Sequence, residues 1–179
     1  MIAIDRKQYV KAELAQLQGD EPDALPELLR VRLVGRSEEA ANVVVQRVSH
    51  ILQVVDCTLL NNAAAANVDW REVVPTWFLT AVIPTLTPAE QQQHLSWWRN
   101  LSAEEKARYE ITQKWTLDGW LYWMEPELRQ WFMLSLHYSG KDQIGGLIRV
   151  LEWPTPWGSL RWLFRAAGCS QLELVDDER

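Results

Sequence analysis

The side chains with which this chain could move protons, attack a carbonyl or hold a metal are three histidines, two cysteines and a few paired carboxylates. They are scattered. His50, His94 and His137 show no HxxxH or HExxH spacing, so none has the second ligand that a catalytic metal takes from the next helical turn. His50 and Cys57 fall near one side of one predicted helix, but two turns put about 10 Å of axis between them, too far for direct proton transfer. Glu104 and Glu105 follow a serine in a helix-capping pattern, and Glu125 and Glu127 flank Pro126 as the acidic start of a helix or turn. Both pairs are accounted for without general acid–base chemistry. Gly145 and Gly146 are not followed by a helix start and Gly158 falls inside a first turn, so no glycine loop cradles a phosphate. No catalytic, metal or cofactor site is expected, and the chain reads as a non-enzyme.

The tryptophans remain to be explained. All eleven lie between Trp70 and Trp162, whereas residues 1–69 contain one aromatic residue, Tyr9. Part of this supply suits a core: Trp115, Trp120 and Trp123 with Tyr122 around one predicted helix, and Trp157 and Trp162 beside another. A core of this size does not ordinarily use eleven indoles, and each buried N–H needs an acceptor. Trp97, Trp98 and Trp153 are therefore expected at the surface, and with Trp157 they form the candidate partner-binding set, because tryptophan is enriched at interface hot spots. Adjacent on a helix, Trp97 and Trp98 must point to different sides.

Composition bounds the rest. The chain has 179 residues, of which 47% are hydrophobic and 23% charged, the profile of a globular chain with one core. A net charge of −6 and a pI near 5.1 speak against nucleic acid, which needs a basic stripe. The acidity is spread, with seven basic and ten acidic side chains in residues 1–69 and eleven and fourteen in residues 70–179. A partner steered by charge is expected to be basic. Polar residues interrupt every apolar run short of the roughly 20 residues of a membrane span. The N-terminus has charges where a secretion signal is apolar. Cys57 and Cys169 have no close-spaced ligand neighbours and read as reduced thiols. A cytoplasmic location without membrane contact follows as the expectation.

The elements that position these residues read as mainly helical α+β, a single domain of 1–179 with an aliphatic-packed part (about 1–69) and a Trp-rich part (about 70–179). Asp5 caps a helix to about Gln18, stopped by Gly19. A shorter helix is expected from Pro26 to Gly35. Ser37 then caps a long helix whose stripe is Ala41, Val44, Val45, Val48, Ile51, Leu52, Val55 and Leu59. Asp69 begins a short helix restarted at Pro75. Thr87 and Ser102 begin helices over 88–99 and 103–124 with capping-box patterns. From Trp131 to Tyr138 the residues alternate, with Phe132, Leu134, Leu136 and Tyr138 on one face. With a turn at Gly140, Lys141 and Asp142 and a second run from Leu147 to Trp153, this predicts a small C-terminal antiparallel hairpin or sheet packed on the helices. A last helix follows Thr155 and Pro156 and stops at Gly168, and Leu172 to Val175 add a short strand.

The function expected is non-enzymatic binding of another protein, a basic one being the better match to the charge. In size and charge alone the chain is similar to immunity proteins and toxin-neutralising partners. The rival expectation is a small-ligand-binding protein or enzyme with a Trp-lined pocket.

Overall fold

The structure is a computed structural model that describes residues 4–61 and 68–176. Local rules account for its first helix, α1 (Arg6–Gln18): the Asp5 side chain accepts from the Lys7 N–H, and Gly19, at φ 85°, ends it in the left-handed conformation. The next segment corrects the sequence reading. Residues 26–35 are not helical, and Leu29–Ser37 form strand β1. Val31 and Leu33 are fully buried while Arg30, Arg32, Val34 and Arg36 are exposed. That period-2 alternation outweighs the helix-start signal of Pro26.

Ser37 closes β1 and does not cap the long helix; its Oγ donates to the Gly168 carbonyl at 3.1 Å. Backbone bonds from Ser37 to Asp142 and from Ala41 to Lys141 hold the connection open, so α2 spans Ala41–Asn61. Its expected stripe is the core, with Val44, Val48, Ile51, Leu52 and Val55 fully buried. By length and composition α2 is apolar enough to cross a membrane, contrary to the reading that every apolar run is too short; here one face packs inside the fold.

Helices α3 (Trp70–Val73) and α4 (Thr76–Ala81) are separated by Pro75 as expected. Helices α5 (Pro88–Asn100) and α6 (Ala103–Thr112) each begin with a complete capping box, Thr87 with Glu90 and Ser102 with Glu105. The helix predicted over 103–124 is broken. A bond from the Ile83 N–H to the Trp115 carbonyl draws that segment extended, and Thr116 starts a new helix, α7 (Leu117–Met124), by capping the Gly119 N–H.

Strands β2 (Trp131–Ser139) and β3 (Gln143–Val150) form the expected hairpin, although β3 starts four residues early and ends before Trp153. A bulge between Met133 and Ser135 shifts the register, so Phe132 does not share a face with Leu136 and Tyr138. Helix α8 (Gly158–Ala167) ends at Gly168, at φ 110°, and β4 (Cys169–Asp176) completes the sheet.

The sheet is antiparallel, four-stranded and ordered β2-β3-β1-β4. It is therefore not a C-terminal hairpin alone, because β1 from the N-terminal part lies between β3 and β4. Its inner face, with Val31, Leu33, Trp131, Met133, Ile148 and Val150, shares one core with the α2 stripe and with Leu160, Leu163 and Phe164 of α8. Phe78 packs edge-on against Trp120 at 4.9 Å and Trp162 at 5.4 Å. Aliphatic and aromatic parts thus meet in a common core.

Candidate functional site

The indoles divide by what satisfies them. Trp120 and Trp131 are fully buried and both depend on Ser159: the Trp120 N–H donates to its carbonyl at 3.1 Å and the Trp131 N–H to its hydroxyl at 3.2 Å. Trp97, Trp123 and Trp153 are exposed, at 43%, 42% and 41%. Trp123 and Tyr122 were expected around a buried helix, but α7 is only eight residues long and turns both outward while burying Trp120, Leu121 and Met124. Trp98 and Trp157 are half-buried.

Trp97 and Trp98 belong to a cluster of their own. No residue of α5 is buried. The Tyr109 ring of α6 lies between the two indoles, 4.8 Å from Trp97 and 5.6 Å from Trp98, and its hydroxyl is 3.0 Å from His94 Nε2. Adjacent residues on α5 therefore flank one ring without facing the same way. Lys106 sits over Trp98 at 5.7 Å. Leu95 of α5 and Ile111 of α6 are also exposed, Ile111 on the side where it shares a cavity wall with Arg161, Arg165 and Leu172. The other predicted pair stands elsewhere: Trp157 carries Arg161 at 5.2 Å, and among the described residues no ring contact joins Trp153 or Trp157 to Trp97 or Trp98.

A buried ionic cluster escaped the sequence reading. Arg129 is fully buried between α1, α2 and β2. Its Nη1 donates to Asp56 Oδ1 at 2.7 Å, its Nη2 to Glu13 Oε1 at 2.7 Å, and its Nε to the Trp131 carbonyl at 3.0 Å. Glu13 Oε1 also accepts the Met133 N–H at 2.8 Å, which ties α1 to the β2 edge. Arg129 Nη2 also lies 2.6 Å from Glu13 Oε2, an ion pair without hydrogen-bond geometry, and Asp56 Oδ2 is buried without a hydrogen-bond donor. Burial pushes both carboxyls above their ordinary range, Glu13 well above it, and the Arg129 charge opposes the rise in each. The group joins α1, α2 and β2, and none of its three side chains lines a cavity among those described below.

Among the described residues no set of three His, Cys, Asp or Glu could hold a metal ion. His50 is exposed on α2, and His137 is exposed on the open face of the sheet. Glu105 serves its capping box, and Glu127 pairs with Lys7 at 3.1 Å. Cys57 is exposed; Cys169 is buried within hydrogen-bonding distance of the Arg36 and Gln171 carbonyls, and burial pushes its thiol up to about 11. Such a thiol is a poor nucleophile at neutral pH. Four surface cavities measure about 600, 370, 290 and 420 Å³, and none of the four has a tryptophan in its wall. The largest lies on the open face of the sheet between Arg32, Arg36 and His137. No family model matches the chain, and no curated protein or solved structure is significantly similar to it.

Proposed function

We propose that this chain is a non-enzymatic protein-binding domain and that its α5–α6 hairpin is the binding element. The observation that carries the reading is a helix with two adjacent indoles and no buried residue, fixed by capping boxes and by the Tyr109 ring and presenting Leu95, Trp97 and Ile111 to solvent. Rings held in place before contact lose little freedom on binding, which is the condition for a hot spot. The partner is a protein with basic side chains around an apolar recess. Arg30, Arg32, Arg36 and Arg149 stand on the two central strands of the sheet, so the rest of the surface carries more than the net acidic excess of −6.

Crosslinking through Lys106 in cells of the native host, followed by titration of the purified crosslinked protein, tests this. Trp97→Ala is expected to weaken that complex by about 2 kcal/mol or more. The melting temperature should hardly move, because the indole supports no core. Unchanged affinity in both Trp97→Ala and Leu95→Ala would remove the hairpin from the interface.

A further inference from the structure

The outer face of the sheet is assembled from alternate residues of all four strands, and the registers place them in rungs. Ser135, Leu147, Arg32 and Val175 make one; His137, Gly145, Val34 and Glu173 the next; Ser139, Gln143, Arg36 and Gln171 a third. Beyond the first, Arg149 stands directly opposite Arg30. Like charges opposite one another weaken a strand pair. Among the described residues Arg32, Arg36 and Arg149 have no carboxylate within 4.0 Å, and Arg30 reaches only Glu27 at 3.7 Å. Glu173 is the one acidic side chain in the three rungs. A positive patch thus sits on a chain of net charge −6.

Gly145 lets the His137 ring lie down on β3: a Cβ there would fall 2.5 Å from His137 Nε2, so the imidazole occupies the place of a side chain and is held at the cavity wall. The cavity, of about 600 Å³, has Arg32, Arg36, Ser135, Ser139, Gln143 and His137 among its walls and no carboxylate. Val34 and Leu147 supply apolar surface. Its volume is that of a small-molecule site, and each of its six polar side chains can donate a hydrogen bond, the two arginines only donating. It has no Trp, Tyr or Phe on which bases of a single strand would stack, which favours a small ligand over nucleic acid.

We propose that this cavity binds a small phosphate-bearing molecule, with Arg32 and Arg36 taking the phosphate oxygens, His137 and Gln143 adding donors, and Val34 and Leu147 supporting the organic part. A guanidinium fork matches two phosphate oxygens, and a phosphate has oxygens enough for more than one fork, which a single carboxylate lacks.

Calorimetric titration of the full chain with inorganic pyrophosphate, adenosine monophosphate and citrate, together with the NMR signals of His137, tests the assignment. Both phosphate compounds are expected to bind and shift the His137 resonances, the nucleotide at least as tightly because it covers the apolar wall. Citrate is expected to bind roughly tenfold more weakly or worse. Arg32→Gln and Arg36→Gln should each weaken phosphate binding roughly tenfold without lowering the melting temperature. Trp97→Ala should leave it unchanged, so this site and the hairpin stand or fall separately. The proposal is overturned if neither phosphate compound binds at about 10 mM, if both arginine variants bind like the wild type, or if citrate binds as tightly. It is equally overturned if a polyglutamate peptide binds where no phosphate compound does, which would make the face a docking site for an acidic protein.

Discussion

Arginines occupy two unlike places in this molecule. Arg129 is sealed at the β2 edge, where Asp56, Glu13 and a backbone carbonyl answer its donors and the Trp131 ring lies 4.1 Å from its guanidinium. Across the sheet, Arg32, Arg36 and Arg149 find no carboxylate within 4.0 Å among the described residues. The first arrangement is complete without a ligand, because a buried charge is tolerable only when paired. The second is tolerable in water, yet it crowds like charges that folding does not need. The two sets thus differ in how fully each guanidinium is satisfied within the protein.

The largest effect should come from breaking the sealed cluster. Asp56→Asn removes the countercharge and leaves Arg129 buried, at an expected cost of about 3–5 kcal/mol in denaturant unfolding. A loss under about 1 kcal/mol would mean that the cluster is hydrated and not sealed.

A smaller, pH-dependent effect sharpens the same point. Burial raises the Glu13 carboxyl well above its ordinary value of 4.5. Above that value the folded chain therefore holds a proton that the unfolded chain has released. The corresponding contribution to stability is full below about pH 4.5 and is lost as pH rises through the folded value. Glu13→Gln mimics the protonated form and should flatten this slope, so the variant is expected to match the wild type in acid and to exceed it at pH 7. Denaturant melts across pH 4 to 8 give the comparison. Parallel pH profiles would place the proton elsewhere.

What could be read in advance follows from the range of the interactions. Caps are local, so Asp5, Thr87, Ser102 and Gly168 marked their helix ends correctly. Two local signals competed at Pro26 to Gly35, and the alternation of Arg30, Val31, Arg32 and Leu33 deserved more weight than the proline. Had it been read as a strand, the basic face would have come into view, because Arg30, Arg32 and Arg36 then point one way. The net charge concealed this by averaging over faces. Asp56 carried a signal too: it stands within the apolar stripe, four residues after Leu52 and three before Leu59, where an acid requires a partner. Glu13 stands likewise four after Tyr9. Their partner could not be inferred, since Arg129 is 73 residues from Asp56 and 116 from Glu13. The Trp97 and Trp98 surface was legible only in part: residue type flagged it, while Tyr109, which fixes both rings, lies in the next helix.

The smallest stability effect is the one that tests the contrast from the exposed side. Arg149, half-buried, faces the exposed Arg30 across β1 and β3, and neither belongs to the hydrophobic core. Arg149→Gln keeps a long polar side chain on the strand while removing one of two opposed charges. If the outer arginines were structural, this change would lower stability, as Asp56→Asn is expected to do at the Arg129 cluster. If they repel one another, unfolding free energy should stay within about 0.5 kcal/mol of the wild type or rise slightly. The difference between variant and wild type should then shrink as salt is added, because surface charges are screened within roughly 10 Å at 0.1 M. A salt-independent loss above about 1 kcal/mol would show that Arg149 packs with its neighbours, Phe132 standing opposite it on β2, and would erase the distinction between the two sets of arginines.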